Sequence, residues 1–206
     1  MTHNELVIKN YNKWIDRNPG IGIMGYGSEQ SQDIRFNMLF KIGDMNQRTI
    51  LDVGCGRGDF AAKAAQKGIK YKKYLGTDIV PKMIEIAKKI NTAKNTEFKV
   101  MDVLNSSEKL SFDYVVMCGP MNLKTPHTEE IAKKLIKRAF EIAKIGIVFN
   151  MTSVFGDIEY MTDHTHYFDP FDILRFCSTM TRNLAFDHTY LPHDFTVFMY
   201  KKGKYE

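Results

Sequence analysis

Apolar residues recur at helical spacing over residues 4–17, placing Leu6, Val7, Tyr11, Trp14 and Ile15 on one face. A second helical pattern over 29–42 turns Ile34, Met38, Leu39 and Ile42 inward, with Ser28 as a candidate cap. At residue 49 the period changes. TILDV reads as a buried strand, and DFAAKAAQKG as a helix stopped by Gly68. KYLGTD is a second strand, and PKMIEIAKKI a helix with Pro81 in its first turn. TEFKVMD and FDYVVMCG give strands three and four, the latter apolar enough to be central. Residues 128–144 are helical, with Ile131, Leu135, Ile136 and Ala139 inward, and GIVFNMT is a fifth strand.

The last third differs. DPFDILRFCSTM reads as a helix starting at Asp169, followed by two strand-like runs, NLAFDHTYL and DFTVFMYKK. The short turn at Pro192-His193 makes these a hairpin. The pattern therefore predicts an α/β fold: a doubly wound, mostly parallel seven-stranded sheet with an antiparallel last strand. No linker or repeat divides the chain, so a single domain is expected, with a core over 49–151 flanked by segments 1–48 and 152–206.

Two glycine runs compete as ligand loops. Gly20-x-Gly22-x-x-Gly25 has dinucleotide-fingerprint spacing, but a turn signal, RNPG, precedes it where a strand is required. It reads as a segment near the mouth of a site, where Tyr26 and Ser28 can touch ligand. The second run, ILDVGCGRGDF, has the right context of strand, glycine turn and helix. Its third glycine, Gly58, comes one residue early for a pyrophosphate loop. Asp52, just before Gly54, would repel phosphates and can accept hydrogen bonds from a cationic amine. Asp78, at the end of the next strand, can accept both hydroxyls of a ribose. Together these residues suit a nucleoside with a cationic tail.

LDVGCGRGDF resembles motif I of the class I S-adenosylmethionine-dependent methyltransferases. YLGTDIVPKMIEIAKK, FKVMDVL and FDYVVMCGPMNL resemble that family's following segments, in order, over about residues 49–151. The terminal hairpin fits the family's reversed last strand. The resemblance implies an enzyme using S-adenosylmethionine and releasing S-adenosylhomocysteine. It places Gly54, Cys55, Gly56 and Gly58 in the loop under the methionine and ribose parts, with Asp52 helping to hold the methionine amino group. It gives the ribose hydroxyls to Asp78 and the adenine to Ile79, Asp102 and Val103. Cys118 and Gly119 would line the sulfonium end. The fourth-strand motif, CGPMNL, lacks the Asn/Asp-Pro-Pro-aromatic pattern of many base- and glutamine-methylating enzymes.

Specificity must then come from the flanks, where the N-terminal helices and residues 152–170 are expected to form a lid. Methyl transfer to a hydroxyl needs a proton acceptor, usually histidine. His166 is the first candidate and His193 the second, with His164, Tyr26 and Tyr167 as substrate-binding candidates. Arg35 is a candidate partner for the cofactor carboxylate. His164 and His166 have no third ligand beside them, so no metal is expected.

Composition narrows the partners. The 206 residues are 44% hydrophobic and 26% charged, with a net charge of +5. The basic residues fall at solvated spacings without interleaved aromatics, so nucleic acid is not an expected partner. Three scattered cysteines suggest free thiols and a reducing compartment. With no apolar leader or membrane-length run, a cytoplasmic enzyme acting on a small metabolite or sugar-like acceptor is expected, oxygen rather than nitrogen being methylated. The alternatives are an RNA methyltransferase or RNA-binding module, and an NAD(P)-dependent reductase on a similar sheet.

Overall fold

A computed structural model describes residues 1–17 and 28–203. Helices α1 (His3–Arg17) and α2 (Glu29–Leu39) precede the sheet. Then come β1 (Thr49–Val53), α3 (Asp59–Gln66), β2 (Lys73–Asp78), α4 (Pro81–Ile90) and β3 (Thr96–Val100). The second half contributes β4 (Phe112–Cys118), α5 (Thr128–Ile142), β5 (Ala143–Thr152), α6 (Pro170–Ser178), β6 (Leu184–Leu191) and β7 (Asp194–Tyr200). The sheet order is β3-β2-β1-β4-β5-β7-β6, with the first five strands parallel and β7 antiparallel to both neighbours. Among the described residues no helix is long and apolar enough to cross a membrane.

The central strands are apolar on both faces because both faces are covered. Val115, Met117, Ile147 and Phe149 pack with Ile136 and Ala139 of α5 and Ile173 of α6. On the other face Tyr114, Val116 and Val148 pack with Phe36 and Leu39 of α2 and Phe60 and Ala64 of α3. The two-residue turn at Pro192-His193 is too short for a parallel crossover, so β7 returns antiparallel and inserts between β5 and β6.

Two helix ends and one buried face depart from the periodicity. α2 stops at Leu39 and continues as a 3₁₀ turn over Phe40–Ile42. Its buried face carries Phe36 where Ile34 was expected, and adds Gln32 and Arg35. The helix expected over 128–144 ends at Ile142, because Ala143 already pairs with Phe112 in the sheet. Ser28 caps α2 as expected. Its hydroxyl accepts from the Ser31 amide at 3.1 Å, and the Ser31 hydroxyl in turn accepts from the Ser28 amide at 3.3 Å. Asp169 likewise caps α6 through the Phe171 amide.

Candidate functional site

The loops after β1, β2, β3 and β4 meet at the carboxyl edge of the sheet, where ligands bind in open α/β folds. They enclose a cleft walled on its outer side by α1. The loop after β1 is tied to β2 by the Gly54 and Cys55 amides, which donate to the Thr77 carbonyl at 2.8 and 3.0 Å. Gly54 has φ +72°, and a Cβ there would collide with Pro120 of the loop after β4. The backbone itself therefore forms the floor of the cleft.

Asp78 stands at the tip of β2. One carboxylate oxygen accepts the Gly56 amide and the other the Val80 amide, each at 2.9 Å. Burial pushes its pKa up to about 6 against the lowering effect of these bonds. Asp102 follows β3. It accepts the Leu104 amide at 2.9 Å, the Asn105 side chain at 2.6 Å and the Asn4 side chain of α1 at 2.7 Å. Gly54, Gly56, Asp78, Ile79, Asp102, Val103, Cys118 and Gly119 all border the cleft.

Three expected cofactor residues sit elsewhere. Asp52 is 2% exposed, accepts a hydrogen bond from the Tyr74 hydroxyl, and borders a small adjoining cavity with Gln32 and Asp59. Burial raises its pKa to about 7. Cys55 borders that same cavity and is buried, which pushes its thiol pKa well up. Gly58 caps α3 in a left-handed conformation, and a Cβ there would meet Phe98 at 2.7 Å.

Of the three singled-out histidines, the structure brings His164 to the cleft wall. Its ring meets Trp14 of α1 edge-on at 5.6 Å. His166 packs edge-on against Phe168 at 4.4 Å, with Nε2 3.4 Å from Glu129. Burial lowers its pKa, while Glu129 opposes the shift. His193, in the hairpin turn, lies with Nε2 3.5 Å from a guanidinium nitrogen of Arg35. Arg35 borders the cleft, and its Nε donates to the fully buried Asp194 carboxylate. The Tyr167 hydroxyl accepts from the Thr162 amide at 2.9 Å and does not border the cleft. Tyr26 and the Gly20–Gly25 run fall outside the described residues.

Two site residues went unrecognised in the sequence. Asn4 carries no local signal. Asn150 does, since it is the polar interruption in the apolar strand GIVFNMT, and it is fully buried on the cleft wall.

The family model described as a methyltransferase domain matches residues 50–146. A ribosomal protein L11 methyltransferase of Vibrio campbellii is 29% identical over 136 residues, 63% of this chain and 43% of that protein. A malonyl-[acyl-carrier protein] O-methyltransferase of Ilyobacter polytropus is 37% identical over 78 residues, 37% of this chain and 29% of that protein. This chain therefore spans less than half the length of either curated relative. A crystal structure of magnesium protoporphyrin IX methyltransferase from Synechocystis, with bound S-adenosylmethionine, superposes with a TM-score of 0.67 at 15% identity, covering 98% of both chains. Residues 50–146 thus match a methyltransferase domain, and the chain has the fold of the class I S-adenosylmethionine-dependent methyltransferases.

Proposed function

We propose that this protein transfers a methyl group from S-adenosylmethionine to a small-molecule acceptor, with oxygen as the expected acceptor atom. One observation carries the reading. The glycine loop, Asp78 and Asp102 end three adjacent strands and border a single cleft. Asp78 can accept ribose hydroxyls and Asp102 an exocyclic amine, and the missing side chain at Gly54 lets the loop after β1 pack against Pro120 of the loop after β4. The residues present fit the cofactor.

When bound, the cofactor supplies a methyl group already activated by a sulfonium. The protein's share is therefore alignment and water exclusion. Cys118 and Gly119 would flank the sulfonium, and α1, through Tyr11 and Trp14, would cover the site as a lid. His164 takes the place of His166 and His193 as the candidate proton acceptor, because it alone of the three borders the cleft. The buried carboxylate of Asp52 would act on the methionine end across the adjoining cavity.

The test is conversion of S-adenosylmethionine to S-adenosylhomocysteine against a panel of hydroxylated and amine metabolites, with bulk RNA and ribosomal protein included. Turnover with a small hydroxylated acceptor supports the reading. Turnover confined to RNA or protein would contradict it.

A further inference from the structure

We infer that Asn150 recognises the methyl acceptor, and that the acceptor presents to it a neutral edge with a hydrogen-bond donor beside an acceptor, as in a lactam, a primary amide or a pyrimidine-type ring. The inference rests on the methyl-transfer reading above and adds a substrate class to it.

Asn150 is fully buried, yet among the described residues neither its Oδ1 nor its Nδ2 has a hydrogen-bond partner. Buried side-chain amides are nearly always paired, because leaving either half unpaired forfeits its hydration without return. Val148, two residues earlier on the same face of the strand, is apolar and fully buried, so the fold does not need polarity on this face. A polar residue with no partner among the described residues, on the wall of a cleft, is placed for a ligand.

Its position says which ligand. Asn150 is the register partner of Cys118 in the adjacent parallel strand, so both side chains project on the same face at the carboxyl edge. Cys118 and Gly119 lie at the expected sulfonium end, opposite Asp78 and Asp102. The Asn150 amide therefore addresses the acceptor side of the cleft. On its other flank Thr196 pairs with it in β7, but that hydroxyl donates to Tyr190 at 2.9 Å.

Charge selects the edge. Arg35, the cation on this part of the cleft, is matched by the buried Asp194 carboxylate. The pair cancels, so an anionic acceptor gains little net field there. An uncharged amide offers one acceptor and two donors. A ligand edge with one donor and one acceptor satisfies it with two parallel hydrogen bonds, and an ester, an ether or a simple amine does not.

The experiment uses the full chain saturated with S-adenosylhomocysteine, with δ-valerolactam, benzamide and uracil as probes and benzoate as the charged control. Binding is read by ligand-observed NMR on wild type and Asn150→Leu, alongside S-adenosylhomocysteine affinity by calorimetry and a thermal melt. Expected are binding of at least one neutral probe in preference to benzoate, and loss of about tenfold or more of that affinity in Asn150→Leu. The variant should keep its S-adenosylhomocysteine affinity within about twofold and melt no lower than wild type, since the replaced amide has no partner to lose among the described residues.

Failure of every neutral probe to bind wild type overturns the inference, as does equal binding to both proteins. A variant that loses S-adenosylhomocysteine affinity would assign the amide to the methionine tail instead, and one that melts several degrees lower would make it structural. Failure of S-adenosylhomocysteine to bind wild type is a separate result. It strikes the methyl-transfer reading first, and this inference with it.

Discussion

Asn4 donates a 2.7 Å hydrogen bond to the carboxylate of Asp102, joining the first turn of α1 to the loop after β3. The remaining attachments of α1 are apolar, with Val7, Tyr11 and Trp14 packed on Val80, Met83 and Leu123, apart from His3 bonded to Thr125 at 2.8 Å and Lys82 to Asp16. Of these polar attachments, the Asn4 bond is the one that ties the wall of the cleft to the carboxylate proposed for the adenine. Asn4→Ala is expected to raise amide exchange in α1 by about fivefold, the equivalent of about 1 kcal/mol of local opening. Hydrogen-exchange mass spectrometry on residues 3–17 reads it. Unchanged exchange there would show that the apolar contacts alone hold the helix.

Asp78→Ala removes the acceptor for the Gly56 and Val80 amides as well as the proposed ribose ligand. The variant should weaken S-adenosylmethionine binding by more than about tenfold while the far-ultraviolet spectrum stays native. Calorimetry with undiminished affinity would remove Asp78 from the site.

Asp52 gives stability a pH dependence. Burial raises its pKa to about 7 in the folded protein, so the unfolded chain gives up this proton at lower pH than the folded one does. The folded state holds more protons between about pH 4 and 7, and its stability falls as pH rises through that window. Asp78, raised to about 6, acts in the same direction. Asp52→Asn should therefore melt about 4 °C or more above wild type at pH 8 and lose most of that advantage at pH 4. Equal differences at both pH values would contradict the assignment.

The Arg35–Asp194 pair is buried at both ends, with 9% and 0% side-chain exposure. Asp194→Ala leaves the guanidinium buried without its carboxylate, at a cost of about 3–5 kcal/mol. Replacing both residues, Arg35→Met with Asp194→Leu, should recover most of the lost melting temperature. A double variant no more stable than Asp194→Ala alone would show that the pair does more than neutralise itself.

The sheet and its order of elements were legible because the central strands β1, β4, β5 and β7 are buried on both faces and read as mostly apolar runs, with Gly68, Pro81 and Asp169 marking helix ends. The glycine loop and the acids at the tips of β2 and β3 were legible for a related reason. Each sits where an apolar strand stops, so spacing along the chain maps onto position in space. α2 was legible only in part, since its buried face includes Gln32 and Arg35, which periodicity assigns to solvent.

The histidines were not legible at all as to which one reaches the cleft. His164 and His166 are two residues apart, and their segment is held beside the loop after β4 by the Leu123–Thr165 bridge, a pairing of distant segments that no local pattern encodes. The burial of Asp52 was not legible, because its hydrogen-bond partner Tyr74 comes from the neighbouring strand. Asn4 and Asp102 meet across 98 residues of chain, a pairing that no local pattern encodes.

The central claim is that the tips of β1, β2 and β3 surround an adenosyl group. The most direct measurement is a crystal structure of the protein grown with S-adenosylhomocysteine. The account predicts the ribose hydroxyls within hydrogen-bond distance of Asp78, the adenine beside Asp102, and the sulfur near Cys118 and Gly119. A ribose lying away from residues 54–58 and Asp78 would contradict it.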